Sequence, residues 1–133
     1  MAFPRLLSIG LLLLLALMPG CSRASRQAAP PPADVVLTLA VEPAPARIGE
    51  ATLVLTLKTS DGRAIPDAKL DIRGDMAHAG MQPVLAASDA GPDGVYRVPF
   101  RWTMAGDWFV IVQVQLPDGR RFEQRFDLRV AGS

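Results

Sequence analysis

One cysteine and one histidine are all that 133 residues offer of the side chains on which most metal and nucleophile chemistry is built. The lone Cys21 excludes an intrachain disulfide. One histidine and no available cysteine argue against a structural or catalytic zinc site, which usually takes three or four nitrogen, sulfur or carboxylate ligands. There is no nucleophile-elbow sequence and no phosphate-binding loop, so no acid, base and nucleophile set presents itself and the chain is expected not to be an enzyme. Charge of one sign is also lacking. Fourteen Lys and Arg stand against 13 Asp and Glu, which leaves no electrostatic case for nucleic acid or for an anionic membrane surface as partner. Amphipathic stretches of helical length are absent throughout.

The one long apolar run, residues 6–18 behind Arg5, is shorter than the roughly 20 residues of a comfortable membrane span and reads as an export signal. It ends in Leu17-Met18-Pro19-Gly20-Cys21, which resembles a bacterial lipobox. Cys21 is therefore expected to be lipidated and to become the mature N-terminus of a membrane-anchored lipoprotein facing the periplasm or the cell exterior. Cleavage nearby by the ordinary signal peptidase, or retention of the run as an anchor, are the alternatives. Ser22, rather than an aspartate, follows the cysteine, which by resemblance to lipoproteins of envelope-bearing bacteria favours the outer membrane. Loss of residues 1–20 takes Arg5 with it and leaves 13 basic and 13 acidic side chains, enough chain for one domain and no more. Residues 21–34 are small and polar with Pro30, Pro31 and Pro32, the composition of an extended tether of about 3.1 Å per residue.

Residues 35–131 read as one all-β domain, because apolar residues alternate with period two in segment after segment. Val35, Leu37, Leu39 and Val41 mark a strand; Ala51, Leu53, Leu55 and Leu57 a second; Ala68, Leu70 and Ile72 a third; residues 82–87 a short fourth. Three clearer ones follow: Tyr96, Val98, Phe100 and Trp102; Trp108, Val110, Val112 and Val114; and Phe122, Phe126, Leu128 and Val130. Turn sequences such as Ser60-Asp61-Gly62 and Pro117-Asp118-Gly119 separate them. About seven short antiparallel strands in some hundred residues predict an immunoglobulin-like β-sandwich. Trp102 and Trp108 fall on core parity. Arg97 and Arg101, and Arg121, Arg125 and Arg129 alternating with Glu123 and Asp127, fall on solvated faces with cross-strand charge pairs.

The histidine is placed where methionines gather. Residues 74–81 read Gly-Asp-Met-Ala-His-Ala-Gly-Met, so that Met76, His78 and Met81 form a Met-x-His-x-x-Met cluster. Thioether sulfur is soft, binds without losing a proton and cannot be tied up as a disulfide in an oxidising compartment. Two methionines and one imidazole thus suit Cu(I) better than zinc, calcium or Cu(II). Gly74 and Gly80 bracket the segment and favour a bent loop. The other reading starts from parity: Met76 and His78 continue the inward register of Leu70 and Ile72, and methionine is a common gap-filler at the end of a core.

Five pieces together resemble the YtkA-like domain family and the related FixH-like proteins: Arg47-Ile48-Gly49-Glu50 before a strand, Ser60-Asp61-Gly62-Arg63 at a turn, the Met/His loop, Gly94-Val95-Tyr96 opening a strand, and Met104-Ala105-Gly106-Asp107-Trp108. The resemblance covers approximately residues 35–130. It implies a small exported or membrane-tethered immunoglobulin-like domain associated with copper handling or oxidase assembly. Its methionine- and histidine-bearing loop falls on Met76, His78 and Met81, with Ala77 and Ala79 where richer versions carry further methionines and glycines.

Two functions follow as expectations. One is a copper-binding carrier or chaperone that exchanges Cu(I) with a donor or acceptor protein; the other is a metal-free interaction module of an envelope complex. Strand counting adds a geometric expectation. Every second connection falls at the same end of such a sandwich, so residues 42–50, 74–81 and 103–106 should share one end, with the tether at the other. Met104 then becomes a candidate fourth ligand. The alternative is that it merely packs at the corner beside Trp108.

Overall fold

Alternation in the sequence becomes alternation in burial. A computed structural model describes residues 28–78 and 80–133, so the expected leader and Cys21 lie outside the described residues. Seven strands follow in chain order: β1 (Val35–Glu42), β2 (Gly49–Thr59), β3 (Lys69–Met76), β4 (Val84–Ser88), β5 (Val95–Trp102), β6 (Gly106–Gln115) and β7 (Arg121–Val130). A three-stranded sheet in the order β1-β2-β5 faces a four-stranded sheet in the order β4-β3-β6-β7, and all strand neighbours are antiparallel. This is the expected immunoglobulin-like sandwich. No helix among the described residues is long and apolar enough to cross a membrane.

The inner faces are those that parity selects. Leu53, Leu55 and Leu57 of β2 and Tyr96, Val98, Phe100 and Trp102 of β5 meet Leu70 and Ile72 of β3 and Trp108, Val110, Val112 and Val114 of β6. Trp102 lies between two aromatic neighbours, edge-on to Phe100 at 4.8 Å and to Trp108 at 5.1 Å between ring centroids. Tyr96 brings a polar group inside and satisfies it: its hydroxyl donates to the Ile65 carbonyl at 2.6 Å and accepts from the Ala68 N–H at 2.9 Å. Burial pushes its pKa above the ordinary tyrosine value.

Two local expectations change. The fourth strand begins at Val84, and it pairs with β3, with Gly74 opposite Val84 and Leu70 opposite Ser88. It thus joins the sheet of β3 and β6, whereas constant-type immunoglobulin domains place the fourth strand beside the fifth. Gly74, expected to begin a bend, continues β3 to Met76. A Cβ at that position would sit 2.5 Å from Phe100 Cζ, so the glycine yields its side-chain space to the ring across the core. The connection lies further along the chain than the bracketing glycines suggest, at residues 77–83, with Gly80 turning at φ +85.

The outer faces carry charge pairs. Arg101 meets Glu50 at 2.6 Å and Arg129 meets Asp107 at 2.8 Å, each directly across a strand pair. Arg97 reaches Glu42, and Arg125 stacks over the Phe109 ring at 4.2 Å. Exposed pairs of this kind contribute about 0–1 kcal/mol each, so the sandwich is held by its core.

The last residues of the expected tether touch the domain. The Ala29 carbonyl accepts from the Glu123 N–H at 2.9 Å on the edge strand β7, and Arg120 grips both carboxylate oxygens of Asp34 at 2.9 and 3.0 Å while also holding Asp118 at 2.8 Å. Arg120 lowers the pKa of both aspartates below the ordinary carboxylate value, Asp118 through its backbone N–H and then its guanidinium, Asp34 through the guanidinium. The chain therefore enters β1 next to the β6–β7 turn, at the end of the sandwich that also carries residues 60–68 and 89–94.

Candidate metal centre

Register fixes what lies at the opposite end. Gly49 pairs with Trp102, and Met76 with Trp108. The connections 43–48, 77–83 and 103–105 consequently share that end, as strand counting predicts. Met76, His78, Met81 and Met104 are all found there, two from β3 and its connection, one further along that connection, and one from the β5–β6 corner.

The four side chains are not equivalent. Met76 is 4% exposed and belongs to the hydrophobic core, continuing the inward face of Leu70, Ile72 and Gly74. Its methyl reaches the corner: a Cβ on Gly106, where φ is +132, would lie 2.7 Å from Met76 Cε. Met81 is partly buried against the core. His78 is exposed. Met104 is 50% exposed. Its backbone is tied to the corner tryptophan, the Trp108 indole donating to the Met104 carbonyl at 2.9 Å. Met76 thus packs as the core reading expects, while His78, Met81 and Met104 lie nearer solvent.

The carboxylates at this end are engaged. Asp75, the oxygen donor nearest in sequence, accepts from Arg73 at 2.8 Å through one oxygen and from the Met76 N–H at 2.8 Å through the other. Glu42, Glu50 and Asp107 are held by Arg97, Arg101 and Arg129. Among the described residues no group of three or more His, Cys, Asp or Glu side chains is arranged to hold a metal ion. The other candidate donors at this end are three thioethers and one imidazole, a soft set. Cross-strand charge pairs are expected from the sequence for Arg97, Arg101 and Arg129, but not which acids they meet, since that depends on register; the indole bond to Met104 leaves only the Met-x-x-x-Trp spacing as its trace.

The fold and this end define a small immunoglobulin-like sandwich whose methionine- and histidine-bearing connections gather at the pole opposite the chain's entry. The sequence profile of the YtkA-like family matches residues 31–113, and the chain belongs to that family. No curated protein matches it. Among solved structures it is similar to the soluble domain of PmoD from Methylocystis sp., at 14% identity and a TM-score of 0.46 over 73% of this chain and 90% of that one. It is also similar to murine CRIg, at 12% identity and a TM-score of 0.39 over 74% of this chain and 98% of that one.

Proposed function

We propose that this protein is an envelope lipoprotein that binds Cu(I) at the methionine-rich pole and carries it to or from another envelope protein, as a carrier, a chaperone or a factor in oxidase assembly. The observation that supports this most is that the end of β3 and two separate connections lie at one pole, so that Met76, His78, Met81 and Met104 belong to the same end of the sandwich, where Asp75, Glu42, Glu50 and Asp107 are each paired with an arginine. His78, Met81 and Met104 would supply the accessible donors, with Met76 the sulfur at the floor. Copper bound there would be held in its reduced state by soft ligands, and exposed donors suit a cargo that must be released. The chain's own residues do the rest. The core anchors Met76, the arginines keep the carboxylates away from harder cations, and the corner presents Met104.

The folded domain, residues 28–133, is expected to bind one equivalent of Cu(I) in competition with a colorimetric chelator. His78→Ala and Met104→Leu should each weaken that binding while leaving the melting temperature nearly unchanged, since both side chains are exposed. A native domain that leaves the chelator's copper untouched would rule the reading out. The remaining function would then be a metal-free interaction module, for which the specific support is Leu85, 71% exposed on the edge strand β4.

Placement in the envelope rests on the leader and the lipobox-like sequence. Cys21→Ser is expected to abolish fatty-acid labelling and membrane retention without affecting the fold of residues 28–133. Absence of labelling in the native protein would remove the lipid anchor from this reading.

A further inference from the structure

Trp108 is 1% exposed, and its ring is fixed edge-on against Trp102 at an interplanar angle of 78°. From that fixed position its indole N–H reaches the Met104 carbonyl at 2.9 Å. The corner it holds, residues 103–105, is short and solvent-facing, with Met104 half exposed. The opposite flank of the same corner, at Gly106, leaves the space that the Met76 methyl fills. A buried indole thus links the corner bearing one candidate donor to the strand bearing another.

Resting on the copper reading, we infer that Trp108 is a positioning residue for Met104, its indole N–H pinning the corner so that the thioether is presented at the methionine-rich pole. Trp108 acts through the Met104 backbone and does not itself hold the metal. Outer-shell groups that orient ligands cost about 10–100-fold in metal affinity when removed. Preorganisation is the physical reason: without the hydrogen bond, binding must order a loose corner that the native protein orders in advance.

The test uses the full chain labelled with carbon-13 at its methionine methyls, with the Met104 signal assigned by its loss in Met104→Leu. Trp108→Phe keeps an aromatic ring in the core and removes the N–H. Trp102→Phe is the control, since it alters the same aromatic cluster and its own buried Nε1 has no hydrogen-bond partner among the described residues. Without metal, the Met104 methyl should move toward its unfolded position in Trp108→Phe and stay in place in Trp102→Phe. With Cu(I), Trp108→Phe should weaken binding by about tenfold or more, and by nothing further in a Met104→Leu background. If Trp108→Phe does not fold, replacing both tryptophans with benzothienylalanine, which is nearly isosteric and lacks the N–H, reads out the same loss. A Met104 methyl unmoved by loss of the Trp108 N–H, or moved equally by Trp102→Phe, overturns the positioning role. Failure of the native protein to bind Cu(I) defeats the copper reading alone, because the metal-free spectrum still decides whether Trp108 places Met104.

Discussion

Met76→Ala is expected to lower the stability of the sandwich by about 2–5 kcal/mol, the range for truncating a buried methionine and leaving a cavity. Met76 is 4% exposed, with its methyl in the space left by Gly106. Copper binding should weaken in the same variant, but that alone does not separate a ligand from a structural residue. Met76→Leu does. It nearly conserves volume, so it should cost less than about 1.5 kcal/mol, while removing the sulfur altogether. If Met76 is a ligand, the leucine variant melts close to the native protein and binds Cu(I) more weakly. If Met76 only caps the core, the leucine variant binds copper as the native protein does. Denaturant melts beside the chelator competition distinguish the two.

Trp102→Ala should be at least as damaging, at about 3–5 kcal/mol. The indole is fully buried and bridges Phe100 and Trp108, so its removal takes from each ring its aromatic neighbour. Set against the roughly 5–15 kcal/mol by which domains are stable, this is enough to unfold a weak one. The phenylalanine variants should differ in an informative way. Trp102 Nε1 is buried without a hydrogen-bond partner among the described residues, and Trp102→Phe sheds that desolvated donor. Trp108→Phe breaks the bond to Met104 and strands its carbonyl. Of two tryptophans in contact, the substitution at 108 is therefore expected to cost more. Equal urea midpoints for the two variants would show that the indole bond at the corner contributes little.

The strands were readable because a half-buried sheet imposes period two on its sequence, and Leu53, Leu55 and Leu57 or Val110, Val112 and Val114 can serve no other pattern. Strand counting then sufficed to place the Met/His connection and Met104 at one pole. What escaped was set by contacts across the sandwich. Gly74 looked like a bend because glycine usually marks one, and only the Phe100 ring from the facing sheet shows that it belongs inside β3. Parity alone could not decide between ligand and core for Met76, because the residue stands where the strand ends and both roles are open. The pairing of Glu42, Glu50 and Asp107 with arginines depends on register, which no single segment reveals. In the same way, residues 29–34 read as tether from composition, whereas the bonds from Glu123 to Ala29 and from Arg120 to Asp34 tie them down.

Cu(I) is diamagnetic, so titrating it into the folded domain while following the methionine methyls and the His78 ring by NMR reads every candidate donor at once. The methionines in residues 28–133 are Met76, Met81 and Met104. Soft-metal binding at the pole predicts that the Met81 and Met104 methyls and the His78 ring protons shift together and stop shifting at one equivalent, with the core methyls of Val110 and Val112 unmoved. Signals that stay in place through that equivalent, or a response confined to residues of the other end near Arg120, would contradict it.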